Sequence, residues 1–346
     1  MERNESEFHR AVVREKTSRR TIIAVLANCV AVASLSLTST AITAQEYPSK
    51  PIRIVVPYPP GGAADATTRL IAQQLSLRMK QPVTVENKGG ASEQVASSYM
   101  KSQPGDGHHI MLTTMVGMST NPTIYGNKLP YDPVKDFAPV ILSVALSSIV
   151  MVHPSNPANN MAELTAWLRA QKGAVSYSSA GAGAPSHIGM ELYKRLGNFD
   201  ATHVPYRGGA PALQALMAGE TQIMMAIGAD AMPMAKAGKL KPIAVLSAGG
   251  SAAFPGLPAV SETPGLSTLE MPFWFAYVVP TSTPKEIIAR LNRELKAILH
   301  EPEMRKKLQE MGADVVGSTP EDLAAIIQSD TLKWGKVIRD SNITVD

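Results

Sequence analysis

The sequence predicts an α/β protein with two lobes, and three observations support this. Short runs of aliphatic and β-branched residues alternate along the chain with longer amphipathic segments, as the strands and helices of a parallel sheet do. The chain has 346 residues, more than a single hydrophobic core usually serves. Small-residue loops also join several strands to the helices that follow them, a pattern typical of ligand-binding α/β sheets.

Strands are predicted where short apolar runs end at turn-forming residues. In chain order they are Ile52–Pro57, Pro82–Glu86, Ile110–Thr113, Met151–His153, Val175–Ser178, Thr202–Pro205, Gln222–Ala226 and Pro242–Leu246. Helices are predicted where apolar residues recur with helical spacing. They are Asp65–Met79, Gln94–Ser102, Met161–Gln171, Pro185–Leu196, Pro211–Ala218, Ala229–Ala237, Pro284–Leu299, Pro302–Met311 and Pro320–Ile338. This alternation predicts parallel sheets with helices on both faces.

The N-terminal segment predicts a secretory signal peptide. A basic stretch ending at Arg19 and Arg20 precedes residues 21–37, which are uncharged and mostly apolar or small, and small residues follow up to Ala44. A membrane anchor is the alternative, although the Ser, Thr and Asn content disfavours it. The arginine pair resembles a twin-arginine signal, so export by the Sec or the twin-arginine route stays open. We therefore expect residues 1–44 to be removed and the mature protein to be periplasmic.

The composition of the remaining chain excludes several classes of partner. Residues 1–44 hold six of the 33 Lys+Arg and four of the 29 Asp+Glu, which leaves a net charge of +2. This balance does not favour nucleic acid or a charged membrane surface. The one cysteine, Cys29, lies within the predicted signal, where lipidation is a weaker alternative. A mature chain without disulfides must be stabilised by its packed core.

The loop after the first predicted strand has the features of an anion site. Gly61 and Gly62 allow the backbone to turn sharply and approach a ligand closely. The amides that open the next helix have no intrahelical acceptor, and the helix dipole adds to their attraction for an anion. Asp65 is placed to cap this helix, and an ordinary capped turn is the alternative interpretation. The loop matches neither GxGxxG nor a phosphate loop, so no nucleotide is expected.

Two further loops repeat this arrangement, at residues 177–187 and 204–211. In the first of them, Pro185 stands at the expected first position of a helix. Because ligands of open α/β sheets bind at the carboxyl ends of the strands, we expect the three loops to meet at one cleft. Arg207 could add a charge-assisted contact there, or could simply be a solvated surface residue.

These segments also carry a family resemblance over residues 47–343. The matching stretches are YPSKPIR at 47–53, PGG at 60–62, PVTVEN at 82–87, PGDG at 104–107, LPYDP at 129–133, DFAPV at 136–140, SAGAG at 179–183 and VPYRG at 204–208. In this order they resemble the Bug-type periplasmic receptors of tripartite tricarboxylate transporters.

The resemblance implies a type II periplasmic-binding-protein fold, in which two doubly wound α/β lobes are joined by two crossover strands. We place the crossings near residues 145 and 271. Lobe 1 is then 45–145 plus 271–346, lobe 2 is 146–270, and the ligand cleft lies between them.

The resemblance further implies a solute-binding protein that is not an enzyme. It would capture a small carboxylate, such as an aromatic or dicarboxylic acid, by closing its lobes, and would pass it to membrane transporter subunits. An orphan receptor used for sensing is the alternative. We expect a monomer, with no catalytic residue, cofactor, metal or nucleic acid.

The resemblance also implies a set of ligand contacts. The carboxylate would lie against the first loop, and the opposite lobe and the end of the third strand would complete the pocket. The implied residues are Tyr58, Gly62, Ala63, Ala64, Asp65, Thr114, Met115, Ser179, Gly181, Tyr206 and Gly209.

Several positions depart from the family pattern. Ala184 and Ala226-Ile227 replace residues that are usually more polar. Glu93 would oppose an anion if it faced the cleft, or could hold a cationic or hydroxyl group of the ligand. A less polar pocket suits a ligand with an apolar body. We therefore expect an aromatic or extended aliphatic carboxylate in preference to citrate.

Catalytic and metal interpretations have weaker support. Ser179 and His187 could form a nucleophile and base, but a G-x-S-x-G elbow and an orienting acid are not found. His187 and Glu191 have the i, i+4 spacing of metal ligands, yet two ligands do not make a site, and a packed or capping His187 is favoured. We interpret Trp274 and its neighbours Phe273 and Phe275 as core residues, and one of them could contact the ligand.

Overall fold

The computed structural model describes residues 47–271 and 273–345, and strands alternate with helices through most of them. The strands are β1 (Ile52–Val56), β2 (Val83–Asn87), β3 (His109–Thr114), β4 (Phe137–Leu146), β5 (Ser148–Val152), β6 (Ser176–Ser179), β7 (Thr202–Pro205), β8 (Ile223–Ile227), β9 (Lys241–Val245), β10 (Phe273–Pro280) and β11 (Ala313–Val315). The helices are α1 (Ala63–Met79), α2 (Gln94–Lys101), α3 (Asn121–Tyr125), α4 (Met161–Ala170), α5 (Pro185–Gly197), α6 (Gly209–Met217), α7 (Gly228–Lys236), α8 (Lys285–Leu299), α9 (Pro302–Glu310) and α10 (Pro320–Asp340).

The strands form two sheets with a common core order. Sheet 1 has the order β11-β4-β10-β3-β1-β2, and sheet 2 has the order β7-β6-β8-β5-β9. The five strands β2-β1-β3-β10-β4 of sheet 1 correspond one by one to the five strands of sheet 2. All of sheet 2 comes from one continuous segment, whereas sheet 1 is built from the chain on both sides of that segment. This arrangement agrees with the division into two lobes that we predict from the sequence, and that division stays a prediction.

Each sheet is mixed, so the prediction of parallel sheets is wrong for β10 and the edge strand β11 in sheet 1 and for β5 in sheet 2. Strand β1 runs parallel to β2 and β3, and β6 runs parallel to β7 and β8. Strand β10 is antiparallel to both of its neighbours, and so is β5. The cause lies in the crossing between sheets. Only Ser147 separates β4 from β5, so no helix is available to reverse the chain before it enters sheet 2.

The central strands of sheet 1 are buried on both faces, as expected when helices cover a sheet. In β1 only Arg53 is exposed, and every residue of β10 is buried. Helix α1 packs Ile71 and Leu75 inward. Burial of each such side chain contributes about 1.5–3 kcal/mol to folding.

The strand order also places the binding loops. In sheet 1 the chain order reverses between β1 and β3, and in sheet 2 it reverses between β6 and β8. Loops at such switch points diverge from one another and leave a crevice at the carboxyl ends of the strands. The loops after β1, β6 and β8 therefore lie where ligands bind in other open α/β sheets.

Several element boundaries differ from the prediction. Helix α1 begins at Ala63 rather than Asp65, helix α6 begins at Gly209 rather than Pro211, and β5 begins at Ser148 rather than Met151. Small residues at the start of the two helices leave little pattern from which the first turn could be predicted.

The described part of the chain contains no helix that is both long and apolar enough to cross a bilayer. The predicted signal peptide, with its arginine pair and Cys29, lies outside the described residues.

A test of the packing is available at Gly105, in the PGDG stretch. A Cβ atom added there would lie 2.6 Å from the carbonyl carbon of Ser282 and 2.8 Å from the amide nitrogen of Thr283. Because backbone atoms cannot rotate aside, we expect Gly105→Ala to lower the melting temperature by roughly 3–10 °C. Gly249→Ala is the matched control, since nothing lies within 4 Å of its added Cβ. Equal melting temperatures of the two variants would contradict this packing.

Candidate ligand-binding site

The loop between β1 and α1 is held in shape by the carboxylate of Asp65. This side chain is 4% exposed. It accepts hydrogen bonds from the Gly61 N–H at 3.0 Å, from Asn87 Nδ2 at 2.9 Å and from Arg69 Nε at 3.0 Å. The hydrogen bond from the Arg69 guanidinium is the main cause that lowers the pKa of Asp65 to about 2. The carboxylate is therefore ionised at neutral pH and is fully engaged by the loop.

Asp65 is not the cap of α1, contrary to the expectation from the sequence. Gly62 occupies the cap position with φ −82° and ψ 174°, and no side chain caps the first turn. Asp65 is the third helical residue, and its carboxylate turns back to the loop. The N–H groups of Ala63, Ala64 and Asp65 therefore open the helix without an intrahelical acceptor. Together with the helix dipole they form a site that favours an anion.

Two adjoining cavities lie beside this helix terminus and have part of their wall in common. One has a volume of about 400 Å³ and the other a volume of about 620 Å³. The residues that border both are Tyr58, Gly208, Gly209, Leu213, Ile227, Asp230 and Phe273. The smaller cavity extends along residues 180–186 of sheet 2, and the larger one reaches 62–64 at the start of α1. Elements of both sheets thus bound one cleft.

Six of the eleven residues predicted to contact the ligand border this cleft. They are Tyr58, Gly62, Ala63, Ala64, Gly181 and Gly209. The other five do not border either cavity: Asp65, Thr114, Met115, Ser179 and Tyr206.

The reasons for these placements differ. Thr114 and Met115 are fully buried, because the chain enters a π-helical turn at Val116, which reaches the wall instead. Ser179 is also fully buried at the end of β6. Tyr206 packs against the core of sheet 2, and its hydroxyl donates to Glu220 at 3.3 Å.

The analysis of the sequence missed several wall residues, most of them apolar. They include Ser92, Val116, Ser148, Leu213, Met224, Met225, Asp230 and Met271. Asp230 could have been found, because it stands in the first turn of α7, directly after β8. The apolar members carry no such signal, since nothing distinguishes them from core residues in the sequence.

The wall is mostly apolar, as the departures from the family pattern predict. Ala184, Ala226 and Ile227 all border the smaller cavity. Phe273 borders both cavities, whereas Trp274 is buried on the other face of β10 and donates its Nε1–H to Asp330 at 2.8 Å. Alternation along the strand explains this difference. Among the described residues that line the smaller cavity, Asp230 is the one charged side chain, and Arg207 joins it in the larger cavity.

Glu93 does not face the ligand. It is 2% exposed, and its carboxylate accepts hydrogen bonds from the Tyr58 hydroxyl at 2.7 Å and from Thr113 Oγ1 at 2.9 Å, with a further contact to the Thr114 hydroxyl. Burial raises the pKa of Glu93. The carboxylate thus draws the hydroxyl of Tyr58 inward, so that the partly exposed ring is what Tyr58 offers to the cleft.

The residues behind the second loop form a stacked histidine pair. The rings of His187 and His203 lie 3.8 Å apart and 15° from parallel. His187 Nδ1 accepts the N–H of Gly183 at 3.1 Å, and His203 Nε2 is 2.6 Å from Ser179 Oγ. The pairing of Ser179 with His187 considered for a hydrolase is therefore wrong, since the β6–β7 pairing brings His203 to the serine instead. His187 is packed, as the favoured interpretation had it.

The metal interpretation also fails in the structure. Glu191 accepts a hydrogen bond from the Tyr177 hydroxyl at 2.6 Å and one from Lys194 Nζ at 2.8 Å. Its carboxylate is therefore engaged by side chains and not directed at a metal site. Nowhere in residues 47–271 and 273–345 do three or more His, Cys, Asp or Glu side chains gather as metal ligands would.

The two sheets of equivalent order, with a cleft at their switch points and an open helix terminus beside it, define a solute-binding protein of the periplasmic type II class. Residues 67–343 match the model of the tripartite tricarboxylate transporter family receptor, and the chain belongs to that family. The resemblance noted in the sequence is thereby confirmed.

Individual relatives agree with this assignment. The chain is 32% identical over 308 residues to the UPF0065 protein in the tcbD-tcbE intergenic region of Pseudomonas sp. strain P51, covering 88% of this chain and 91% of the relative. It is similar to the structure of R. palustris Rpa4515 with adipate, with 30% identity, a TM-score of 0.78 and coverage of 86% and 99%. It is also similar to the periplasmic binding protein BugD, with 28% identity, a TM-score of 0.73 and coverage of 86% and 99%.

The histidine pair predicts a loss of stability in mild acid. Burial, and then the neighbouring His203, lower the pKa of His187 from 6.5 to about 4. Between these pH values the unfolded chain binds a proton that the folded chain refuses. The free energy of unfolding should therefore fall by about 1.4 kcal/mol for each pH unit as the pH drops from 6.5 towards 4.

Denaturant unfolding across this pH range would measure the effect, with His187→Asn as the matched variant. The Asn side-chain oxygen can still accept the N–H of Gly183 but does not titrate, so this variant should show a shallower slope. An unchanged slope would exclude His187 as the cause.

Proposed function

We propose that this protein is an extracytoplasmic receptor that captures a small carboxylate in its cleft for the membrane subunits of a tripartite tricarboxylate-type transporter. The observation that carries the proposal is the uncapped start of α1, whose amides at Ala63 and Ala64 border a mostly apolar cavity. Membership of the receptor family and the adipate bound to the similar Rpa4515 support it.

In the proposed complex, one carboxylate of the ligand accepts hydrogen bonds from the first amides of α1. Its body packs against Leu213, Ile227 and Phe273. A ligand held in this way touches elements of both sheets, so it shifts the protein towards a closed state. The moving bodies are the two lobes predicted from the sequence, 45–145 plus 271–346 and 146–270.

We further propose that the mature protein is a periplasmic monomer, exported after removal of residues 1–44. We assign it no reaction, because the hydroxyl of Ser179 is fully buried and does not border the cleft.

The apolar wall predicts the class of carboxylate. Octanoate and phenylacetate should bind the mature protein at least about tenfold more tightly than citrate in calorimetry at pH 7. Citrate carries three carboxylates and a hydroxyl, and the wall offers them few donors, so they would lose water without replacement. Equal or tighter binding of citrate would overturn this assignment of ligand class.

The role of the helix terminus can be tested by Ala63→Pro. Proline is favoured at the first helical position, and Gly62 already has the extended conformation that a residue before proline adopts. The variant removes one N–H donor, so we expect about tenfold weaker binding of the carboxylate without loss of thermal stability.

Ala63→Ser is the matched control, because it changes the side chain and keeps the N–H. Indistinguishable affinities of the two variants for a carboxylate that the unmodified protein binds would show that this amide does not hold the ligand.

A further inference from the structure

Asp230 is a charged side chain in the cleft that has no partner in residues 47–271 and 273–345. It is the third residue of α7 and borders both cavities. No described residue lies within ion-pair or hydrogen-bonding distance of its carboxylate. It is exposed to solvent in the open cleft, so water solvates it in the absence of a ligand.

The surroundings of Asp230 are poorly suited to a free charge. The same cavity is lined by Leu213, Ile227 and Met234. These surroundings raise the pKa of Asp230, with desolvation as the cause.

Arg207 borders the larger cavity as well but does not neutralise Asp230. No ion pair joins the two side chains. Arg207 lies in the loop between β7 and α6, and Asp230 lies in α7, so elements of sheet 2 carry both. Closure of one lobe on the other would move them together and would not bring them into contact.

Closure of the two lobes would leave the carboxylate of Asp230 in need of a partner. A carboxylate that loses its water in an apolar site without a donor costs several kcal/mol. The opposite wall, at Ala63 and Ala64, already favours the anionic end of a ligand. A ligand with a cationic group at its other end would satisfy both walls, whereas a second carboxylate would meet a like charge.

We propose that Asp230 selects for an ammonium group, and that the natural ligand is an amino-carboxylate with an apolar body between its two charged ends. The inference rests on the proposed function, since it presumes a carboxylate at the start of α1. It distinguishes this chain from Rpa4515, whose bound adipate carries a carboxylate at each end.

Three matched series of linear carboxylates test the proposal, with three to seven methylenes and with methyl, ammonium or carboxylate as the distal group. The pair 4-ethylbenzoate and 4-(aminomethyl)benzoate extends them to aromatic bodies. Calorimetry at pH 7 should show at least about tenfold tighter binding of the best ammonium member than of its methyl and carboxylate counterparts.

In Asp230→Asn this preference should shrink to within about threefold. Glu303→Gln, on the exposed surface of α9, removes the same charge and should keep the preference. Two results would overturn the role of Asp230 and leave the proposed function intact. One is tighter binding of a methyl or carboxylate member by the unmodified protein, and the other is an undiminished ammonium preference in Asp230→Asn. Failure of every member to bind would instead overturn the proposed function.

Discussion

The hydrogen bonds that Asp65 accepts from Gly61, Asn87 and Arg69 constrain the first binding loop, and the geometry of the cleft depends on them. Asn87 also donates to the carbonyl of Tyr58, so the end of β2 holds the loop on two sides. A side chain in the usual capping position would have consumed the amides that open α1. Because the carboxylate turns back to the loop, those amides stay directed at the cleft, and the charge of Arg69 offsets that of the acid.

The two walls of the cleft have different chemistry. The wall from sheet 1 offers backbone donors, whose positions follow from a helix start and change little with the side chains present. The wall from sheet 2 offers apolar side chains and two charges, so its chemistry follows from the side chains present. The His187–His203 stack stabilises the β6–α5 loop from behind, through the bonds to Gly183 and Ser179. A receptor of this design can keep its carboxylate site and vary the rest of its specificity through sheet 2.

Features set by neighbouring residues in the chain were predictable from the sequence. The start of α5 at Pro185 and the glycine-rich turn at Gly61 and Gly62 depend on local conformational preferences, and both are found as predicted. Features that depend on pairing across the chain were not. The direction of β10, the contact of Ser179 with His203 and the inward turn of Glu93 follow from strand order and packing, which leave no local pattern. The Bug-type resemblance supplied the fold class, but it named residues such as Thr114 that border neither cavity.

The position of β10 has a consequence for how the chain becomes ordered as it is made. This strand lies between β3 and β4, yet it follows the whole of sheet 2 in the sequence. All strands of sheet 2 are therefore synthesised while sheet 1 still lacks its middle member, and the pairing of β10 with β3 closes a long loop. Such late, non-local pairing is slow compared with the formation of local structure. Sheet 2 can thus mature first, and the apolar edges of β3 and β4 remain open until residues 273–280 have been synthesised.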